Sequence, residues 1–256
     1  MTPAYRRAGF LRFASIQFVV LTACAMVAYA GGTWFDPTTP HYELTSNFLS
    51  DLGATRSLSG ATNYVSSVLF FVALATNGAA LVAFSWAWRG FAFAHGRAPF
   101  AGYTSAVLGT ASGLAFIGVA VTPWNLLLDV HNAFVIGAFG LLMLYVAAIT
   151  LVMWRNGIGG ARLATNLVYL AVIIGYVALV LRGPRFNTEH GHRVQVVGQK
   201  IVAYVSMVHI MFLTTTTRRA LARAHGQATE GVRSVGPRAH EAEIGRAARD
   251  QSGRGA

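Results

Sequence analysis

Charge is scarce in this chain and cysteine is almost absent. Asp, Glu, Lys and Arg make up 11% of the 256 residues while 54% are hydrophobic, a balance far from that of an ordinary water-soluble domain. Water is therefore not the expected solvent for most of the chain. The one cysteine, Cys24, excludes an intrachain disulfide and a cluster of thiolate metal ligands. The sequence also lacks an internal repeat, a phosphate-binding glycine loop, a nucleophile elbow and a paired-histidine zinc motif on a helix, so the chemistries those motifs carry are not indicated. Apolar and polar residues do not alternate along the apolar runs, which excludes the strands of a membrane β-barrel.

What is present is a set of apolar runs of about 20 residues, the length that crosses a hydrocarbon core. They predict an all-α, polytopic membrane bundle of about six transmembrane helices near 12–30, 63–87, 102–121, 130–153, 163–181 and 196–216. One membrane domain over 1–220 and a basic, disordered tail over 221–256 account for the chain. The first run, preceded by Arg6 and Arg7 and ending near Ala28-Tyr29-Ala30, resembles a secretory signal peptide. It is long for a signal sequence, and it is expected to stay as a span.

Basic residues orient the bundle. Nineteen arginines and Lys200 give a net charge of +11, but they are unevenly spread. Arg6, Arg7, Arg12, Arg89, Arg97, Arg155, Arg162 and the eight arginines after Thr217 fall on the amino-terminal side, fifteen in all. Arg56, Arg182, Arg185, Arg193 and Lys200, five residues, fall on the other. Basic loops stay inside, so both termini are expected on the cytoplasmic side. The tail buries too little apolar surface to fold and is expected to be drawn to anionic lipid. No nucleic-acid recognition module is legible, so membrane lipids are the expected partners, with no protein partner indicated.

Within the third run, Ser105, Gly109 and Gly113 recur at helical spacing, a stripe that lets a neighbouring helix approach closely. The polar residues that simple connectors do not need lie in three outer loops. The first, Pro37 to Thr55, contains HYELTSNFLSDLGAT. If Ser46 to Leu52 is helical, Asn47, Ser50 and Asp51 share one face and Leu44, Phe48 and Leu52 another. The same residues also read as a capped interfacial helix, started by Thr45 or Ser46 and stopped by Gly53. The second loop, TPWNLLLDVHN, sets Asp129 and His131 at the mouth of the fourth helix. There the helix dipole favours a neutral imidazole, suited to a base or ligand, although Asp129 also reads as a cap. The third, RGPRFNTEHGHRVQVVGQK, carries Arg182, Arg185, Glu189, His190, His192, Arg193, Gln199 and Lys200. Its bases run against the positive-inside bias, and snorkelling at helix ends is the plain alternative for Arg182 and Lys200.

Tyr42 to Thr55 with its SNFLSDLGAT core, Asn63, the Pro123 to His131 segment and Gln199-Lys200 together resemble the bacterial membrane family called domain of unknown function 998. The likeness extends over the membrane domain, and Ser-x-x-x-Ser-Asp-Leu-Gly is its most specific element. It implies six helices and a shared outer-face site, with no established reaction. The family's last span often opens with Glu-Arg where this chain has Gln199-Lys200, a departure that argues against a required carboxylate there.

The expected function is recognition or processing of a lipid or other polar head group at an outer-face site. Asp51, His131 and Ser50 are the candidates for proton transfer or catalysis. His41, Glu43, Asn47, Asp129, Arg185, Glu189, His192, Arg193, Gln199 and Lys200 are the candidates for ligand binding. One alternative is a metal-dependent membrane hydrolase in which His41, Asp51, His131 and His192 converge on zinc. This resembles, distantly, the membrane hydrolases that include alkaline ceramidases, which have seven spans and another histidine spacing. Another alternative is a non-enzymatic scaffold or small transporter, whose deep polar groups would be Thr76, Asn77, Ser206 and His209. No resident cofactor is named by the sequence.

Overall fold

The computed structural model describes residues 3–94 and 99–215, with side chains over 6–89 and 100–215. The chain divides into two units, Met1–Thr214 and Thr215–Ala256, and the description below concerns the first. The basic tail expected over 221–256, the end of the membrane domain near residue 220, and Arg97 lie outside the described residues.

Among the described residues there are six long helices: α1 (Pro3–Ala28), α2 (Tyr64–Ala94), α3 (Pro99–Val121), α4 (Leu128–Arg155), α5 (Ala161–Arg182) and α6 (Glu189–Thr215). All six are long and apolar enough to cross a membrane. Among the described residues the only pairing of extended backbone is an isolated bridge between Arg56 and Thr62. The fold is that of a multi-pass, all-helical membrane protein. Helices α1 and α3 pack on α2, α4 on α3, and α5 on α4.

Local chemistry explains the helix ends. Thr188 starts α6, its hydroxyl accepting the Gly191 N–H at 3.1 Å, as a helix N-cap does. The helix therefore begins at Glu189 and not near Val196, and most of the expected third loop is helical. Hydropathy hides this start because the first turns are polar, with Arg193 donating to Glu189 one turn back at 2.7 Å. At the other end of the bundle, α4 stops at Asn156-Gly157, where Gly157 takes a φ of +68°, the left-handed backbone that favours glycine after a helix.

Large apolar side chains such as Val27, Val65, Val168, Trp154 and Val208 are exposed, as expected where the surrounding solvent is hydrocarbon. The interior holds two clusters. One gathers Leu11, Phe84, Ile149, Val152 and Ile173 among the helices. In the other, Tyr29, Tyr42, Leu49 and Leu52 from the α1–α2 connection pack on Phe18, Phe70, Leu74 and Met207. That connection thus has a hydrophobic underside and forms a cap on one end of the bundle.

The small-residue stripe packs α3 against α2 as expected. Ser105 is fully buried, and a Cβ placed on Gly113 would stand 2.6 Å from the Gly78 carbonyl. Gly113→Val is expected to destabilise the protein by about 1–3 kcal/mol, the usual cost of overpacking, and to lower its thermal midpoint in detergent. Gly140→Ala in α4, where nothing lies within 4 Å of an added Cβ, should leave the midpoint level or raise it. Equal midpoints for the two variants would refute the close α2–α3 contact.

Candidate functional site

The cap runs from residue 29 to 63, and its route is fixed by buried amides. Gly31 and Gly32 both have positive φ, +87° and +85°, which L side chains rarely adopt. A Cβ on Gly31 would lie 2.5 Å from the Thr39 carbonyl, so the two limbs of the turn touch. The Gly32 N–H donates to that same carbonyl at 2.7 Å.

Asn47 holds the centre. It is fully buried; its side-chain N–H donates to the Gly32 carbonyl at 2.9 Å and its oxygen accepts the Glu43 N–H at 2.9 Å. Asn63 does the same at the cap's exit. Its amide donates to the Ala54 and Leu52 carbonyls at 2.9 and 3.3 Å and accepts the Ala30 N–H at 3.2 Å. Each amide ties segments that are distant along the cap.

Asp51 sits on a 3₁₀ turn, Leu49–Gly53, at 5% exposure. The expected helix from Ser46 to Leu52 is thus shorter, and Phe48, not Thr45 or Ser46, precedes it as the N-cap. The Asp51 carboxylate accepts the Phe48 N–H at 2.8 Å and the Asn47 amide at 3.4 Å. Asn47 and Asp51 share a buried side as expected, and Ser50 is half-buried. On the expected apolar side, Leu52 is buried but Leu44 is exposed.

Helix α6 clasps the cap. The Gln199 side-chain oxygen accepts the Leu49 N–H at 2.7 Å, Lys200 donates to the Asn47 carbonyl, and His192 Nε2 lies 2.8 Å from the Ser46 carbonyl. A carbonyl only accepts, so His192 carries its proton on Nε2. Its Nδ1 is buried and has no hydrogen-bond partner among the described residues, with the ring held among Trp34, Phe35 and Phe48 at centroid distances of 6.3, 5.5 and 5.0 Å. The Lys200 ammonium also stands 5.3 Å from the Tyr42 ring centroid, within cation–π range. Tyr42 donates to the Asn47 carbonyl at 3.0 Å.

Two opposite charges are therefore buried under one cap without touching. The ion pairs among the described residues are His41–Glu43 and Arg193–Glu189, both solvent-facing. Burial pushes the Asp51 carboxyl up to about 6, an effect only partly offset by the Phe48 N–H, the Asn47 amide and the charge of Lys200. Burial likewise raises the Tyr29 and Tyr42 phenols, and the nearby Asp51 charge adds to both shifts. Asp36, on the cap's exposed tip, is shifted the other way by hydrogen bonds from Thr38.

The second loop joins the cap through Asn125. Asn125 accepts the Thr55 N–H at 3.0 Å and donates to the Thr55 hydroxyl at 2.9 Å. His131 is buried in the first turn of α4, Nδ1 2.6 Å from the Thr122 carbonyl and Nε2 without a hydrogen-bond partner among the described residues. Asp129 is exposed in that turn and makes no cap; Leu127 precedes the helix instead. Arg185, Glu189 and Arg193 are exposed, as is His41.

The expected residues thus separate into two groups. Asn47, Asp51, His192, Gln199 and Lys200 come together at the cap, while His41, Asp129, Arg185, Glu189 and Arg193 are exposed and Glu43 is half-buried. No hydrogen bond among the described residues joins Asp51 to His131. No group of three or more His, Cys, Asp or Glu side chains among the described residues is placed to hold a metal ion, so His41, Asp51, His131 and His192 do not converge. The aromatic enclosure of His192 is not legible in the sequence, because Trp34 and Phe35 lie before the polar stretch of the first loop and far from His192 along the chain. Asn125, an amide between an apolar helix end and Leu126-Leu127-Leu128, was the available signal for the second join.

Fold and site together define a multi-pass membrane protein whose bundle is closed at one end by a hydrogen-bonded cap. No family model, curated protein or solved structure matches the chain.

The raised Asp51 carboxyl has a definite consequence for stability. The folded protein holds this proton up to about pH 6, whereas the unfolded chain releases it near 3.8. Between those values the folded state binds more protons, so stability is greatest below the window and falls as pH rises through it. The thermal midpoint of wild type in detergent is expected to drop between pH 4 and 6, by an amount equivalent to about 3 kcal/mol at most. Asp51→Asn, which keeps the shape and cannot titrate, should lose this component. An Asp51→Asn profile that follows wild type throughout would show that another group is responsible.

Proposed function

We propose that the protein is a lipid-binding membrane protein related to the family called domain of unknown function 998, whose cap end takes the anionic head group of a membrane lipid. Lys200 is the buried cation of this site, with Arg185 and Arg193 at its rim. The observation that supports this most directly is that Lys200, only 9% exposed, meets the Asn47 carbonyl and the Tyr42 ring but, among the described residues, forms an ion pair with no carboxylate. A buried charge is costly unless paired, and a phosphate group would supply a counter-charge in direct contact through charge-assisted hydrogen bonds, where Asp51 acts on Lys200 only from a distance.

Binding is favoured over catalysis by how the polar groups are used. Asp51 accepts from the cap's own backbone, and His131 Nδ1 is engaged with Thr122. The cap faces the outside of a bacterial inner membrane in this reading, with both termini cytoplasmic, on the strength of the fifteen-to-five division of basic residues. A reporter inserted near Thr39 should then be active only outside, and one fused after Thr217 only inside. The reverse pattern would overturn the orientation.

The head-group reading is tested by native mass spectrometry of the full chain released from nanodiscs containing phosphatidylglycerol or phosphatidylcholine. Wild type should retain one phosphatidylglycerol in preference to phosphatidylcholine, and Lys200→Met should retain it roughly tenfold less, the loss of one charge-assisted contact. Circular dichroism melting checks that the variant is folded. Retention without preference, or preference unchanged in folded Lys200→Met, would sink the proposal.

A further inference from the structure

Lys200 and Asp51 form no ion pair, yet one peptide group joins them. The carbonyl of the Asn47–Phe48 peptide accepts the Lys200 ammonium, and the N–H of the same peptide donates to the Asp51 carboxylate at 2.8 Å. The Asn47 side chain adds a second tie, its N–H reaching the same carboxylate oxygen at 3.4 Å. A trans peptide points its carbonyl and its N–H in opposite directions on one rigid plane. The cation therefore sits at the negative end of the peptide dipole and the carboxylate at the positive end, and each favours the ionised form of the other.

Few other charges surround the pair. Among the described residues Lys200 is the one buried Lys or Arg, and Asp51 the one buried carboxylic acid. From the cap, Tyr29 and Tyr42 face Asp51. From α6, His192 lies within reach of the Lys200 charge, and Glu189 and Arg193 pair with each other in solvent. Helices α1 and α2 also pack on the 3₁₀ turn, but their titratable side chains at this end, Cys24 and Tyr64, are exposed.

An anion that meets Lys200 places a second negative charge across the peptide from the carboxylate. Like charges in one buried site disfavour each other, and the charge that can be removed is that of Asp51, whose proton is already held up to about pH 6. We infer that head-group binding at Lys200 is coupled to protonation of Asp51, so that the cap takes up a proton with the lipid and holds an anionic phospholipid more tightly in acid. This coupling rests on the head-group reading and adds to it the regulation of that site. The balance is simple: the carboxylate gains a proton from solvent, and no bond to the lipid is made or broken. Linkage is reciprocal, so the factor by which protonation strengthens lipid binding is the factor by which lipid strengthens proton binding, roughly tenfold for linked sites of this kind.

The test uses native mass spectrometry of the full chain from nanodiscs that mix phosphatidylglycerol and phosphatidylcholine, at about pH 5 and about pH 7.5. Wild type should prefer phosphatidylglycerol at both, and roughly five- to tenfold more strongly at the lower pH. Asp51→Asn, which cannot titrate, should show one preference at both. Equal preference at the two pH values in wild type would overturn the coupling and leave the head-group reading standing. So would a pH dependence that persists in folded Asp51→Asn, which would belong to His192 or another group. No preference at either pH would remove the head-group reading and the coupling together.

A second measurement needs no variant and decides if Asp51→Asn does not fold. Calorimetry of wild type with dihexanoyl phosphatidylglycerol, at about pH 6.5 in two buffers of different ionisation enthalpy, counts the protons bound with the lipid. Uptake of about half a proton per lipid is expected for a carboxyl whose proton affinity rises tenfold from its value near 6. No uptake, or release, on binding would overturn the coupling.

Discussion

The cap depends on one constraint, that irregular backbone beside a membrane interior must have its hydrogen bonds met by the protein itself. A connection from residue 29 to 63 folded onto helix ends presents many carbonyls and N–H groups that no regular element satisfies. Side-chain amides take that role. Asn47 and Asn63 each bridge backbone groups that are far apart along the cap, Gln199 supplies an acceptor from α6, and Asn125 supplies both an acceptor and a donor from the α3–α4 connection. An amide suits this work because it carries donor and acceptor at once and holds no charge to desolvate.

The two buried charges follow from the same need. Asp51 and Lys200 are each committed to cap backbone, the carboxylate to the Phe48 N–H and the ammonium to the Asn47 carbonyl. Their attraction therefore acts at a distance while their direct partners are peptide groups. This arrangement gives a carboxyl whose proton is retained well above the ordinary range and a cation whose counter-charge is not in contact. Under these conditions charge near the cap is governed by how the loop is folded, and any ligand that supplies or removes charge there acts on the loop as well.

Much of this was legible from residue order alone. Six apolar runs gave six helices, and the stripe of Ser105, Gly109 and Gly113 gave the close α2–α3 contact, since both depend on side-chain size and hydropathy that a sequence states directly. The grouping of Asn47, Asp51, Gln199 and Lys200 was also suggested by the sequence, through a resemblance and through polarity where none was needed. Other features could not be read this way. The start of α6 was displaced because Glu189 and Arg193 look like loop residues until their spacing is seen as an i,i+4 pair. The histidines did not converge, because His192 and His131 each satisfy a particular backbone carbonyl whose position only the folded chain reveals. A cavity inside the bundle was signalled only in part, by the deep polar residues Asn77, Ser206 and His209 that line it, since most of its walls are the same residues that make any apolar helix.

The clasp between the cap and α6 joins residues about 150 positions apart, Leu49 to Gln199 and Asn47 to Lys200. A ribosome makes the chain from its amino terminus, so the cap is complete long before its fastening exists. During that interval the Asn47 carbonyl and the Leu49 N–H have no α6 side chain to meet, and the cap's aromatic enclosure lacks the imidazole at its centre. Closure of the cap is thereby a late event in biogenesis, conditional on insertion of the final helix. The same geometry makes the cap a record of whether the whole chain has been threaded, with an unfastened end marking a protein whose synthesis or insertion stopped short.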